Sequence, residues 1–319
     1  MAKYIRTVLG DIDSCDLGQS YCHEHLLIMS GSATKIDPDF LLDDLDQATT
    51  EIAAFCKAGG QALVDMMPPG IGRNPEGLVT LAQRTGCHII ATTGFHKERY
   101  YDAQHWLYTY SVETIAQLFA DEVTMGMDQW GYRGPHTRRI EARAGIIKVA
   151  TDYYKWTAWT DKWFEAAAMA QLSTGVPIAT HTEHGVLAIE QVKKLTDLGV
   201  PGDKIIVGHI DKNPDPYVMR DLVAMGAFLE FDGPSRQKYG PDTITVALIQ
   251  DAVTYGYSQR ILLGMDLARR SYWPTYGGGP GLTYLLRQFM PRLQAEGLGN
   301  IVPLLLVENP AHALAFMSS

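Results

Sequence analysis

Residues 144–151 read AGIIKVAT, residues 176–183 read VPIATHTE, and residues 204–211 read KIIVGHID. Each stretch is a short apolar run rich in β-branched residues, which is typical of a strand buried on both faces. Amphipathic patterns with the 3.6-residue helical period separate them, at 161–174 and 185–198. Strands that alternate with helices in this way predict a parallel sheet.

The same alternation continues in both directions along the chain. Further strands are predicted at 19–25, 61–67, 87–95, 227–233 and 260–266, and further helices at 41–58, 76–85, 114–125, 216–225, 243–255 and 283–296. Glycines stand where left-handed residues would end helices, at positions 59, 86, 175, 199, 226, 256 and 297. Eight β/α units predict a closed (β/α)8 TIM barrel, of class α/β. No GxGxxG motif follows the first strand, which disfavours an open dinucleotide-binding sheet. The form of segment 124–143 stays open.

Composition excludes several classes of protein. The 319 residues carry 27 Lys and Arg against 36 Asp and Glu, a net charge of −9, so neither nucleic acid nor an anionic membrane is an expected partner. The four cysteines form no CxxC pair and indicate a reducing compartment. No signal peptide is recognisable, and the apolar run at 301–307 is too short to span a bilayer. We therefore expect a soluble, cytoplasmic protein with one domain over residues 1–319.

Residues that bind metals or protons collect at the carboxyl ends of the predicted strands, where barrel enzymes build active sites. The set is His23, His25, Lys148, His181, His209 and Asp266. His23 and His25 alternate along a strand and so share one face, as two ligands of one cation would. Taken alone, such a pair is more often two ordinary strand histidines. Its combination with His181, His209 and Asp266 favours a metal site.

Lys148 is unusual because it interrupts an apolar strand. Burying an unpaired cation there costs several kcal/mol, because the ion loses its hydration. A buried ion pair would explain it, and so would a deprotonated lysine that forms Schiff bases. A third explanation is a lysine carboxylated on its amine, which is an anionic ligand able to bridge two metals. The nearby histidines and Asp266 favour the third.

These residues, in this order and local context, resemble the phosphotriesterase family of the amidohydrolase superfamily, over essentially the whole chain. The resemblance implies that His23, His25 and Asp266 hold one divalent ion and His181 and His209 another. Carboxylated Lys148 and a hydroxide would bridge the two ions, Zn in the first instance and Mn or Co otherwise. Lys148 and Asp266 are then the catalytic residues, with Asp266 carrying a proton from the hydroxide to the leaving oxygen. The family also implies a small-molecule substrate and a homodimer.

The loops after the last two strands supply positive charge in an acidic chain. Lys238, Arg269 and Tyr272 stand at −28, +3 and +6 from Asp266, and such loops often bind phosphate in barrels. A cation there could instead be solvated or paired with an acid such as Asp242 or Glu230. The trio resembles the phosphate-binding residues of the phosphorylated furanose lactonases within the family. We therefore predict a lactonase that opens phosphorylated sugar lactones by attack of a metal-bridging hydroxide.

The segment GFHK at 94–97, followed by Tyr100 and Tyr101, also resembles that branch and offers Lys97 and Tyr100 as substrate contacts. Which of the two tyrosines faces the site stays open. His184 lies three residues after His181 and would face away from it on an extended chain, so we leave it out of the metal ligands.

Three rival functions remain. An acyl-homoserine lactonase or an organophosphate triesterase would need a wide apolar loop after the last strand, whereas here that loop is short and basic, with Trp273 and a run of three glycines. A metal-dependent binding protein without activity would need an incomplete site. A Schiff-base aldolase acting through Lys148 would need no metal.

Overall fold

A computed structural model describes residues 3–134 and 136–317. Eight parallel strands follow one another in chain order around a single sheet. After a short antiparallel hairpin of Tyr4–Thr7 (β1) and Gly10–Asp13 (β2), they are Ser20–Glu24 (β3), Ala62–Asp65 (β4), His88–Gly94 (β5), Ile146–Ala150 (β6), Ile178–His181 (β7), Ile205–Gly208 (β8), Phe228–Phe231 (β9) and Ile261–Leu263 (β10). All eight predicted strands are present.

The sheet closes between its last and first strands. The backbone N–H groups of Met265 and Asp266 donate to the carbonyl of His23, at 3.3 and 3.0 Å. The buried carboxylate of Glu24 accepts the N–H groups of Met265, at 2.9 Å, and Leu267, at 3.3 Å. The segment that carries Asp266 is thereby fixed against the end of β3. The fold is a (β/α)8 barrel, as predicted.

Among the described residues, helices occur at the eight predicted places, with ends shifted by a few residues, and three further short helices, Ser32–Ile36, Trp106–Thr109 and Asn309–Leu314, were not predicted. In chain order, the helices are Ser32–Ile36 (α1), Leu45–Lys57 (α2), Pro75–Thr85 (α3), Trp106–Thr109 (α4), Val112–Thr124 (α5), Ala158–Thr174 (α6), Ala188–Asp197 (α7), Pro216–Ala224 (α8), Asp242–Thr254 (α9), Met290–Ala295 (α10) and Asn309–Leu314 (α11). The seven glycines expected to end helices all have positive φ, for example 70° at Gly86 and 74° at Gly175. These helix ends were therefore correctly predicted.

The floor of the barrel, opposite the carboxyl ends of its strands, was not foreseen. Tyr4 of the hairpin and Phe316 exchange backbone hydrogen bonds of 3.0 Å in both directions. Ile5 from the hairpin and Ala313 and Leu314 from α11 pack into the same buried cluster as Ile146 and Leu262 of the barrel interior. Two elements that lie outside the β/α repeat thus close one end of the barrel, which leaves the other end for the site.

Two connections differ from the simplest expectation. Segment 124–143, of which all residues but 135 are described, is mostly irregular. It is anchored by the buried ion pair of Arg73 with Glu122, whose oxygen also accepts the N–H of Asp128 at 3.0 Å. The loop after β10 runs over residues 264–283 before the next long helical segment begins, so it is not short. It is built from two short 3-10 turns around the fully buried Trp273. Within residues 3–134 and 136–317, no helix is long and apolar enough to cross a membrane.

Candidate active site

One cavity of about 330 Å³ opens at the carboxyl ends of the strands. Every site residue predicted from the sequence lines it: His23, His25, Lys97, Tyr100, Lys148, His181, His209, Lys238, Asp266, Arg269 and Tyr272. Loops that are distant in sequence therefore converge on one chamber. Tyr101 does not line the cavity, because its hydroxyl instead accepts the backbone N–H of His96 at 2.8 Å. Of the two tyrosines, Tyr100 faces the site.

Strand alternation explains two of the positions. Ile146 and Ala179 pack inside the barrel, and Lys148 and His181 follow them by two residues, so their side chains point to the same interior. In parallel register Lys148 lies beside Ala179, and His181 lies beside Gly208. Lys148 and His181 therefore lie one layer of side chains above the apolar residues that fill the barrel interior.

Irregular backbone explains three others. The register of β3 with β4 shifts between Tyr21 and Glu24, a bulge that turns His23 towards the barrel axis. His209 and Asp266 have φ of 63° and 49°, the left-handed region that side chains other than glycine rarely adopt. Such backbone strain tends to persist at functional sites, where the surrounding structure holds it.

His23, His25 and Asp266 form the first group that could hold a cation. One ligand atom from each lies within 4.8 Å of the other two. Oδ1 of Asp266 lies 3.4 Å from Nε2 of His25 and 3.9 Å from Nε2 of His23. Nε2 of His23 is buried without a hydrogen-bond partner in the structure. A buried imidazole nitrogen that has no hydrogen-bond partner is suited to act as a metal ligand.

His181 and His209 form the second group. Nδ1 of His181 faces Nε2 of His209 at 2.7 Å, so their ligand atoms converge on one point. Nζ of Lys148 is fully buried and donates to the carbonyl of Met66 at 2.9 Å. Burial lowers the pKa of Lys148 to about 8, since desolvation opposes its charge more than nearby acids such as Asp266 favour it. An amine with so low a pKa is readily available as the free base.

Carboxylates stand behind three of the histidines, on the nitrogen that faces away from the centre. Oε2 of Glu230 lies 2.7 Å from Nδ1 of His23, and Oδ2 of Asp232 lies 2.5 Å from Nδ1 of His209. Oε2 of Glu183 lies 3.1 Å from Nε2 of His181. Carboxylates in this position orient histidine ligands and make them more basic.

Burial lowers the pKa of both His23 and His209, which keeps the imidazoles neutral and able to bind a metal. The sequence analysis did not assign this role to Glu230, Asp232 or Glu183. A signal was present in the predicted strand at 227–233, where Glu230 and Asp232 interrupt an apolar run, as Lys148 does in the predicted strand at 144–151.

Two unpredicted cations lie over the acids of the site. The buried guanidinium of Arg236 is paired with the carboxylate of Asp266 and also donates to the Asp266 carbonyl at 3.0 Å. Lys212 lies 3.0 Å from Oδ1 of Asp232. Burial opposes ionisation of Asp266, but Arg236, His25, His209 and Lys212 together outweigh it and hold the pKa of Asp266 well below its usual range. Asp266 is therefore ionised and can accept a proton.

Lys238, Arg269 and Tyr272 form the basic side of the cavity mouth. Nζ of Lys238 lies 4.8 Å from the ring centroid of Tyr239 and 5.7 Å from that of Tyr272. Arg269 pairs with Asp37 at 2.5 Å and lies over the ring of Phe40 at 4.4 Å. Arg269 thus has an acidic partner, although neither Asp242 nor Glu230 is that partner.

The opposite side holds Lys97 and Tyr100. Lys97 pairs with Glu183, which links it to His181, and its Nζ lies 5.7 Å from the ring centroid of Tyr100. Tyr100 stacks on His96, a cavity residue that the sequence analysis did not single out, at 4.9 Å and 20°. His184 has φ of 56° and also lines the cavity, so it does not face away from it, although it belongs to neither histidine group described above.

Comparison with known proteins matches residues 3–314 to the phosphotriesterase family. This chain belongs to that family. A phospho-furanose lactonase of Mycoplasmopsis synoviae is 37% identical over 98% of this chain and 92% of its own length. The solved structure of an amidohydrolase from Mycoplasma synoviae superposes with a TM-score of 0.96 at 36% identity, covering 99% of this chain and 93% of the other. That of a lactonase from Listeria monocytogenes gives 0.92 at 30% identity, covering 99% and 100%.

Membership confirms the family resemblance drawn from the six strand-end residues, and with it the expectation of a hydrolase. The donor set described above, with His and Asp ligand atoms within reach of one another, is one that could bind metal in this family member.

Proposed function

We propose that this phosphotriesterase-family hydrolase is a binuclear-metal lactonase that opens sugar furanose lactones bearing a phosphate. The observation that carries the proposal is the arrangement of one cavity with two walls of different chemistry. One wall carries the strand-end donors, including Lys148, His181 and Asp266. The other, at the cavity mouth, carries Lys238 and Arg269. The phospho-furanose lactonases among its relatives support the substrate class.

The residues proposed to hold the metals are those whose ligand atoms converge. His23, His25 and Asp266 would hold one divalent ion, and His181 and His209 the other, with carboxylated Lys148 spanning both. We propose Zn, with Mn or Co as alternatives, because imidazole and carboxylate donors suit these ions. When bound, two such ions lower the pKa of a water towards 7 and polarise a carbonyl.

The chain's own residues then position the lactone and move one proton. Asp266 would accept the proton of the attacking water as the oxygen of that water bonds to the carbonyl carbon. Asp266 would pass that proton to the ring oxygen as the C–O bond breaks, which yields a hydroxy acid. Lys238 and Tyr272 would hold the phosphate together with Arg269, since charge-assisted hydrogen bonds are roughly twice as strong as neutral ones. Lys97 and Tyr100 would contact the sugar from the opposite wall.

A second candidate is hydrolysis of an acyl-homoserine lactone or an organophosphate triester. The observation that favours it is an apolar wall of the cavity, formed by Ile28, Phe40, Met67 and Ile71. Besides Lys148, six lysine and arginine side chains border the same cavity, among them Arg99 and Lys212, and this favours the phosphorylated substrate. A Schiff-base enzyme acting through Lys148 would be trapped by borohydride in the presence of a carbonyl substrate and would need no metal.

The deciding experiment is a screen with a pH indicator that reports acid release. Its panel holds phosphorylated and unphosphorylated sugar lactones, acyl-homoserine lactones and a triester, and Lys148→Ala protein is the matched control. We expect turnover to be fastest on a phosphorylated furanose lactone. Faster turnover of an acyl-homoserine lactone or the triester would favour the second candidate, and turnover of nothing in the panel would favour a binding protein.

We further propose one domain, a homodimer and a cytoplasmic location. The eight strands between residues 20 and 263 share one sheet, which supports a single domain. All four cysteines are free, which supports a reducing compartment. Light scattering after size-exclusion chromatography would test the dimer.

A further inference from the structure

The connection between β3 and α2 forms a flap over the mouth of the cavity. Its neck is narrow, because Ile28 and Leu42 exchange backbone hydrogen bonds of 2.9 and 3.1 Å. Between them, residues 29–41 carry α1 and a 3-10 turn at Pro38–Phe40. Asp37 and Phe40 of this flap line the cavity. The flap therefore forms part of the cavity wall beside Arg269.

The tip of the flap is attached to the loop after β10 through two acids with different partners. Asp37 contacts Arg269, with Oδ2 at 2.5 Å from the guanidinium. Asp39 accepts the backbone N–H of Ser271 at 3.0 Å and its hydroxyl at 2.6 Å, and lies 3.5 Å from Arg269. Asp37 thus mainly holds Arg269, while Asp39 mainly holds the neighbouring loop.

The two cations proposed to bind phosphate consequently differ. Among the described residues, no carboxylate lies within ion-pair distance of Lys238, whereas Arg269 already has two, Asp37 at 2.5 Å and the more distant Asp39 at 3.5 Å. A phosphate that reaches Arg269 meets the negative charge of Asp37. Since two anions on one guanidinium repel each other, the incoming group must displace the carboxylate or share the cation with it.

We infer that Asp37 is a specificity-determining residue that occupies Arg269 until a phosphate displaces it. The inference rests on the proposed function. A sugar phosphate carries close to two negative charges at neutral pH and competes well with one carboxylate. A neutral or singly charged substituent competes poorly and leaves the pair closed. Selectivity for phosphate then has two sources. A phosphate makes favourable contacts with Arg269, and a less charged ligand fails to break the ion pair of Arg269 with Asp37.

The test compares Asp37→Asn with wild-type protein by calorimetric titration of inorganic phosphate and of methanesulfonate. The pair is partly exposed, so we expect phosphate to bind about threefold to tenfold more tightly to Asp37→Asn. The affinity for the singly charged methanesulfonate should increase by a larger factor, so that the ratio of phosphate affinity to methanesulfonate affinity falls. Asp37→Glu, which keeps the charge, and Ser271→Ala, which loosens the flap without changing charge, should both bind phosphate as wild type does.

Unchanged or weaker phosphate binding by Asp37→Asn would overturn the inference, and Asp37→Ser provides the same comparison if the asparagine variant is unstable. Arg269→Ala separates this failure from that of the proposed function. If Arg269→Ala binds phosphate as wild type does, the phosphate site itself is wrong. If Arg269→Ala weakens binding while both Asp37 variants leave it unchanged, only the role of Asp37 is wrong.

Discussion

Nε2 of His209 lies 2.7 Å from Nδ1 of His181, although the two residues come from different strands and 28 positions separate them in the chain. Each ring is held from behind, His209 by Asp232 and His181 by Glu183. Two neutral imidazoles that face each other with their lone pairs would repel, so one must carry a proton or both must share a cation. Without an ion, the N–H of one ring donates to the other; in the proposed metal site, both nitrogens would instead turn their lone pairs to one shared cation.

Metal content tests this arrangement directly. Protein produced with added Zn and bicarbonate should contain about two divalent ions per chain, and Lys148→Ala should lose them because a shared ligand is removed. Elemental analysis measures the content. Lys204→Ala is the matched control, since that lysine binds the carbonyl of Ala315 away from the site. Wild-type protein without metal under these conditions would contradict the proposed mechanism.

Weakening of the metal site should follow from loss of a supporting carboxylate. Glu230→Gln keeps the shape but removes the carboxyl group behind His23, and such changes typically cost about 10-fold to 100-fold in metal affinity. Competition with a chromogenic chelator measures the dissociation constant. Glu165→Gln, at the surface near Lys194, should leave it unchanged. An unaltered constant in Glu230→Gln would mean that this carboxylate does not support the ligand.

The pH dependence of stability should reveal Lys148 in metal-free protein. Its folded pKa of about 8 lies below the ordinary value of 10.5, so the unfolded chain binds more protons between these limits. Stability should therefore rise with pH through that window, and the full cost, as much as about 3 kcal/mol, is present below pH 8.

Lys148→Met removes this cost, so the variant should be the more stable protein at pH 7, by a margin that shrinks towards pH 10. Urea unfolding at several pH values measures it, and exposed Lys193→Met provides the baseline. A margin independent of pH would rule out the shifted lysine.

The effect of replacing Lys238 on kcat/KM should depend on whether the substrate carries a phosphate. Lys238→Ala should lower kcat/KM for a phosphorylated lactone by about 10-fold to 100-fold, as loss of a charge-assisted contact predicts, while sparing the unphosphorylated lactone. Lys35→Ala alters an exposed flap lysine outside the cavity lining and should affect neither. Equal losses on both substrates would show that Lys238 does not contact the phosphate.

Asp266→Asn should reduce kcat far more than it weakens binding of the substrate, since the amide cannot accept the proton. Steady-state kinetics and titration of the ring-opened product measure the two effects. Arg236→Met should give a smaller loss of kcat with Asp266 intact, because it removes the donor to the Asp266 carboxylate and carbonyl. Turnover of Asp266→Asn at the wild-type rate would exclude the proton transfer.

Much of the fold and of the candidate site could be predicted, because hydrophobic periodicity and the residue types at strand ends are local properties of the sequence. The eight strands, the glycine-terminated helices and the convergence of Lys148 with His181 follow from alternation alone. The acids behind the histidines could not be placed, since Glu230 meets His23 across 207 residues. The floor of the barrel was missed because the hairpin and α11 lie outside the repeat. The pairing of Arg269 with Asp37 depends on how the flap folds back, which no local pattern encodes.

The left-handed backbone at His209 and Asp266 has a consequence for protein engineering. Each such residue costs about 1–3 kcal/mol, and glycine would relieve it while deleting the side chain on which activity depends. Glycine at Asp266 would, however, leave the buried guanidinium of Arg236 without its partner, which costs about 3–5 kcal/mol. A library selected for thermal resistance alone should therefore replace Asp266 only together with Arg236, and such double replacements would be inactive. Screens on this scaffold need a catalytic criterion from the first round.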